Sequence, residues 1–140
     1  MAHSSARAHQ FPLRVYWEDT DAGGIVYYAN YLKFIERARS ELVAEAGLNQ
    51  VTLLRDEGII FAVRRCEIDY LASATLSDDL IVATEIDKVG GASIDMTQAV
   101  YRGGDMLVRA KVRVGSVNKA GRPARMPAVA RAALEKFVGE

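Results

Sequence analysis

Between Val15 and Tyr31 the chain passes from an apolar, strand-like stretch into the carboxylates Glu18, Asp19 and Asp21, then through Gly23-Gly24 towards a helix. This order restricts what the chain can build. A backbone that reverses sharply beside two aspartates needs the conformational freedom of glycine. The first turn of a helix leaves N–H groups without intrahelical partners at the positive end of its dipole. A carboxylate and an oxyanion-binding surface are therefore expected within a few residues of each other.

What is missing narrows the chemistry further. The 140 residues fit one domain, and the 18 basic residues balance the 18 acidic ones, so no net field favours nucleic acid or an anionic membrane as partner. No apolar run is long enough to insert stably in a bilayer. Residues 1–10 are polar, without the apolar centre of a signal peptide, and are expected as a flexible tail ahead of a single domain over 11–140. The single Cys66 excludes an intrachain disulfide, so a reducing, cytoplasmic location is expected. Both histidines, His3 and His9, fall in the expected tail, which argues against Ser-His-Asp or Cys-His catalysis and against the usual zinc sites. Asp19, Asp21 and Gly24 match three positions of a calcium loop, but Gly23 and Asn30 replace ligands that loop needs. Any enzyme here works with carboxylates, hydroxyls or backbone donors, and no metal or redox cofactor is expected.

Periodicity predicts a strand near Leu13–Trp17 and an amphipathic helix from Asn30 to Gly47, in which Tyr31, Phe34, Ile35, Ala38, Leu42 and Ala46 recur at three- and four-residue spacing. A short helical turn within Gln50–Glu57 follows. Strands are predicted over Ile59–Leu71, Leu80–Val89, Ser93–Arg102 and Met106–Val117, with glycine pairs marking two hairpins. In the last of these, Met106, Val108, Ala110, Val112 and Val114 alternate with Leu107, Arg109, Lys111 and Arg113, one set facing a core. Pro127 opens a terminal helix over Ala128–Val138. The class is α+β: a long central helix against a curved, mostly antiparallel sheet.

Tyr16, Asp19-Thr20-Asp21, Gly24, Val26-Tyr27, Asn30-Tyr31, Phe34, Glu36 and Arg39, continued by Arg64 to Leu71 and Asp79-Leu80, together resemble the hotdog-fold thioesterases of the 4-hydroxybenzoyl-CoA thioesterase family. Within it the chain is most similar to the acyl-CoA thioesterases associated with the Tol-Pal envelope system. The resemblance spans Phe11 to Pro127. It implies a five- or six-stranded sheet wrapped round the central helix, assembly into homodimers or homotetramers with sites at the dimer interface, and hydrolysis of an acyl thioester carried by CoA or an acyl carrier protein. CoA is then part of the substrate, and no cofactor is implied.

By the same resemblance Asp21 is the catalytic carboxylate, as nucleophile or general base, and the backbone N–H of Tyr28 polarises the carbonyl. Gly24, Val26, Tyr27, Asn30, Tyr31 and Ser93 are the implied substrate-binding positions. Three positions depart from the pattern. Tyr28 stands where many Tol-Pal-associated members have histidine, Ser73 stands where proline is common, and Gly90-Gly91-Ala92 stands where basic residues grip the CoA phosphates, leaving Lys88 or Arg102 for that task. Asp19 is expected to be structural and Cys66 to be a small apolar filler. Glu36 is the rival carboxylate, because other hotdog thioesterases carry their catalytic acid on the central helix; an ion pair or hydrogen bond within the helix layer, for example with Arg39, is the preferred reading. A different class of function, a non-catalytic hotdog scaffold for acyl carrier protein or envelope-complex partners, is the alternative.

Overall fold

The computed structural model describes residues 8–138. Five strands form one sheet in the order β1-β3-β4-β5-β2, antiparallel at every pairing. They are β1 (His9–Arg14), β2 (Ile60–Tyr70), β3 (Asp79–Val89), β4 (Ser93–Arg102) and β5 (Asp105–Val117). The central helix α1 (Asn30–Glu45) lies across one face, burying Tyr31, Phe34, Ile35, Ala38, Leu42 and Val43. Against it the sheet presents alternate residues, among them Leu80, Val82 and Ile86 of β3, Ile94 and Met96 of β4, and Val108, Ala110 and Val112 of β5. One contiguous core results.

Helix α1 ends in a Schellman arrangement. Gly47, at φ +92°, donates to the Ala44 carbonyl, and Leu48 donates to that of Val43. A helical turn α2 (Gln50–Thr52) follows, with Asn49 accepting from the Thr52 N–H, and runs into a wider turn over Leu53–Glu57 that Gly58 closes at φ +67°. The terminal helix α3 is shorter than expected, Ala128–Glu135, because Val138 leaves it to bridge Ile86 of β3. No helix among the described residues is long and apolar enough to cross a membrane.

Several expectations need correction. The first strand lies earlier than Leu13–Trp17. The Asp19 carboxylate accepts the Tyr16 N–H at 2.8 Å, which folds Trp17–Asp19 into a 3-10 turn and leaves His9–Arg14 to pair with β3. His9 and Gln10 therefore belong to the sheet and not to a tail, while His3 lies outside the described residues. His9 is thus a histidine within the fold, but its Nε2 lies 2.7 Å from Glu45, at the C-terminal end of α1. That end is roughly 24 Å from the start of the helix by its rise. In β5 a register shift opposite Val100 and Tyr101 sends Met106 to the outer face beside Ala83, Ala99 and Tyr101, and buries Leu107 in the core, the reverse of the simple alternation.

Candidate active site

The residues after β1 form a small hairpin rather than entering a helix directly. Thr20 and Val26 bridge, Asp21 donates its N–H to Ile25, and Gly24 donates to the Asp21 carbonyl. Gly24 sits at φ +81°, a left-handed conformation that costs a side-chain-bearing residue energy. The Asp21 carboxylate Oδ1 accepts the Gly23 N–H at 2.8 Å, which orients the side chain at the turn while leaving Asp21 exposed. Five residues separate Gly24 from helix α1, the last of them Ala29, its N-cap.

Asp19 ties this hairpin to the helix. Its carbonyl accepts two donors, the Tyr27 N–H at 3.0 Å and the Asn30 side-chain amide at 2.9 Å, while its carboxylate holds the 3-10 turn. Asp19 is structural, as expected. Asn30 is a strut to the hairpin, not a cap of its own helix. No side chain caps the start of α1, and among the described residues the backbone N–H of Tyr28 meets no acceptor. A free donor at a helix start is suited to a developing negative charge.

These elements frame a cleft of about 350 Å³, whose lining includes Asp21, Val26, Tyr27, Tyr28, Tyr31 and Tyr70. The floor is rigid. Val26 is buried and donates to the Ala74 carbonyl, while the buried Tyr31 phenol accepts the Ala74 N–H at 2.9 Å. Burial raises the Tyr31 phenol above its ordinary range, against the opposing pull of the Ala74 N–H and of Arg102. Tyr70 contributes the wall from β2, its ring 5.6 Å from Tyr28, edge to face, and 5.8 Å from Tyr31. Burial raises its phenol too, helped by Cys66, Tyr28 and Tyr31.

Of the positions expected to form the site, Asp21, Val26, Tyr27, Tyr28 and Tyr31 meet at the cleft, with Gly24 shaping the hairpin and Asn30 bracing it. Ser93 does not. It begins β4, whose other end, Arg102, donates to Ser73 of the cleft wall, so Ser93 lies roughly 30 Å away along the strand within one chain. Tyr70, from the Arg64–Leu71 part of the motif, joins the cleft although sequence spacing assigns it no role there. The signal was its place on the side of β2 that faces α1, in register with Ile68 and Cys66.

Three further expectations change. Arg39 donates to the Gln98 side-chain oxygen at 3.0 Å rather than pairing with Glu36. Burial lowers the Arg39 guanidinium, with Glu36 and then Cys66 opposing. Cys66 is exposed on the edge strand, not packed in the core. Arg102 is already engaged, 2.9 Å from Asp78 and 3.3 Å from the Ser73 carbonyl, and so fastens the turn where Ser73 replaces proline.

The sequence matches the model of the thioesterase-like superfamily over residues 15–134. The chain belongs to that superfamily. It is 47% identical over 108 residues to the acyl-CoA thioesterase YbgC of Haemophilus influenzae, covering 77% of this chain and 79% of that one. It is 41% identical over 99 residues to the acyl-CoA thioester hydrolase YbgC of Escherichia coli O6:H1, covering 71% and 73%. The crystal structure of a probable thioesterase from Bartonella henselae superposes with a TM-score of 0.82 at 41% identity, covering 86% of this chain and 99% of that one. The hotdog fold and the thioester hydrolase class anticipated from the motif are both met.

Proposed function

We propose that the protein is an acyl-CoA thioesterase that hydrolyses its substrate at the Asp21–Tyr28 cleft. The observation that carries this reading is the coincidence, in one cleft, of an exposed carboxylate held at a tight turn and a free backbone N–H at the start of α1. A thioester carbonyl oxygen placed at the Tyr28 N–H gains negative charge as the carbonyl carbon becomes tetrahedral, where a preorganised donor has most effect. Asp21 acts either by attacking that carbon, giving an acyl–carboxylate anhydride that water opens, or by taking a proton from the attacking water. On either route the C–S bond breaks, the thiolate of CoA leaves and takes a proton, and the free acid is released.

Neither route calls for a metal or a redox cofactor. The names of the YbgC relatives support CoA as carrier, with an acyl carrier protein as the second candidate. Placement in the Tol-Pal-associated branch, from the motif resemblance, and a cytoplasmic site of action, from the lone Cys66, are part of the same proposal. A homodimer or homotetramer completes the reading. The edge strand β2 leaves Val63, Cys66 and Tyr70 exposed, and only a second copy could bring Ser93 into a site with Asp21.

The test is thiol release from short-, medium- and long-chain and aromatic acyl-CoA thioesters, with Asp21→Ala as control. Turnover that the substitution removes supports the reading. No turnover with any CoA ester would transfer the role to acyl carrier protein substrates or to the scaffold alternative.

A further inference from the structure

We propose that the hairpin between β3 and β4, together with Arg125 and Arg64, is a phosphate site that holds the nucleotide end of an acyl-CoA whose thioester lies in the cleft of a second copy; this rests on the thioesterase and homodimer reading above. The hairpin turns through Gly90-Gly91-Ala92 into Ser93. Among the described residues the N–H groups of Gly91 and Ala92 meet no acceptor, and the Ser93 hydroxyl has no partner. Arg125 lies on this turn. A Cβ built on Gly91 would stand 3.3 Å from its Nη1, 3.5 Å from its Cζ and 3.7 Å from its Nη2. The neighbouring Met126 N–H donates to the Gly91 carbonyl at 2.8 Å and fixes the backbone of the arginine there. Arg64 approaches from β2, its side chain crossing Gly115, the residue paired with Ser93, so closely that a Cβ on Gly115 would collide with it. Both glycines leave room for an arginine.

These donors have no counter-ion. Neither Arg125 nor Arg64 meets a carboxylate among the described residues, and Asp95, which follows Ser93 on the same face of β4, is held by Arg113 at 2.7 Å. Guanidinium forks and successive N–H groups of a turn are the donors that match phosphate oxygens. In an acyl-CoA the phosphates lie at the nucleotide end, separated from the thioester by the long pantetheine arm. Within one chain the hairpin stands at the far end of the sheet from Asp21, so that arm has to cross between copies. β2 is an edge strand: Ala62 near one end stands in line with Gly115 and Ser93, while Tyr70 at the other end lines the cleft. Antiparallel pairing of β2 with its counterpart in a second copy sets the Ala62 end of one beside the Tyr70 end of the other. Ser93 is then three strand spacings, roughly 14 Å, from the β2 that carries the cleft. An acyl carrier protein presents no nucleotide, so the site selects CoA as carrier.

The experiment measures kcat/KM for one acyl group carried on CoA, on 3′-dephospho-CoA and on pantetheine. The wild type should prefer the CoA ester over the pantetheine ester by roughly tenfold or more, the size expected when hydrogen bonds to a charged group are lost. In Arg125→Ala that preference should shrink to about threefold or less, through KM, and Arg125→Lys should keep part of it. Lys119→Ala removes the same charge from the same loop, but its side chain rests at Gly58, and the preference should stay where it is. A decline with 3′-dephospho-CoA points to the 3′-phosphate, and one with pantetheine alone to the diphosphate; either supports the proposal. In a heterodimer of Asp21→Ala with Arg125→Ala, the site that keeps Asp21 faces the subunit that keeps Arg125, and the wild-type KM for the CoA ester should return.

An unchanged preference in Arg125→Ala would overturn the proposal, as would a wild type that hydrolyses the pantetheine ester as well as the CoA ester. A heterodimer that keeps the raised KM of the Arg125→Ala homodimer would overturn it too, because the phosphates would then bind the same chain as the thioester. Failure of the thioesterase reading has a separate signature, the absence of thiol release from any carrier by the wild type. Calorimetric binding of adenosine 3′,5′-bisphosphate to wild type and to Arg125→Ala still decides the phosphate site in that case.

Discussion

The Tyr31 phenol oxygen accepts a 2.9 Å hydrogen bond from the buried backbone N–H of Ala74, 43 residues away. It joins the first turn of α1 to the connection between β2 and β3, and so sets the width of the cleft between Tyr28 and the segment 70–73. Tyr31→Phe keeps the ring packing but leaves that N–H unpaired in the core. The expected cost is roughly 1–3 kcal/mol in urea denaturation.

Gly24 adopts φ +81°, and a Cβ added there would meet nothing within 4 Å. The penalty for substitution is therefore conformational rather than steric. Gly24→Ala should lose about 1 kcal/mol, while Gly24→Asn, which tolerates the left-handed region better, should lose less. Thermal melts rank the two. Thioester hydrolysis should fall in the same order, because the turn that Gly24 closes orients Asp21.

Gln98 is fully buried and uses both ends of its amide. It donates to the Ile35 carbonyl and to Thr84 Oγ1, both at 2.9 Å, and accepts from Arg39. Gln98→Leu fills the space without replacing any of these bonds and strips Arg39 of its acceptor. A destabilisation of roughly 2–3 kcal/mol is expected in chemical denaturation.

Asp78 binds the Thr75 N–H and Arg102, and these contacts hold its carboxyl below the usual aspartate range, the Thr75 bond being the larger cause and burial opposing. A lowered folded-state value means that the stabilisation is complete above the unfolded-state pKa of about 3.9 and is lost as pH falls from there through the folded value. Wild-type stability should therefore fall more steeply below pH ~4 than that of Asp78→Asn. Denaturation curves at a series of acidic pH values measure the difference in slope.

The helix and the order of strands were legible because their periodicities are strong: α1 starts at Asn30 as the apolar spacing predicts, and Gly47 stops it. What escaped depended on side chains reaching back to the main chain. The Asp19–Tyr16 bond moves the first strand to His9–Arg14, and a register shift in the β4–β5 pairing exchanges Met106 with Leu107, neither of which a period of two can express. The site divides in the same way. Asp21, Tyr27, Tyr28 and Tyr31 are close in sequence and were found together, whereas Tyr70 reaches them only through pairing of β2 with β5, and the Arg39–Gln98 bond spans 59 residues. Ser93 was placed by resemblance alone, and the single chain leaves it at the opposite end of the sheet.

The central claim is that Asp21 performs the chemistry while the rest of the cleft binds and orients. The direct measurement is kcat for the best acyl-CoA substrate with wild type and Asp21→Asn, the amide being nearly isosteric and able to keep the Gly23 hydrogen bond. A loss in kcat of roughly 10²-fold or more is expected, with circular dichroism and melting temperature close to wild type. Near-native kcat in a folded Asp21→Asn protein would contradict it and move the search for the catalytic group away from this hairpin.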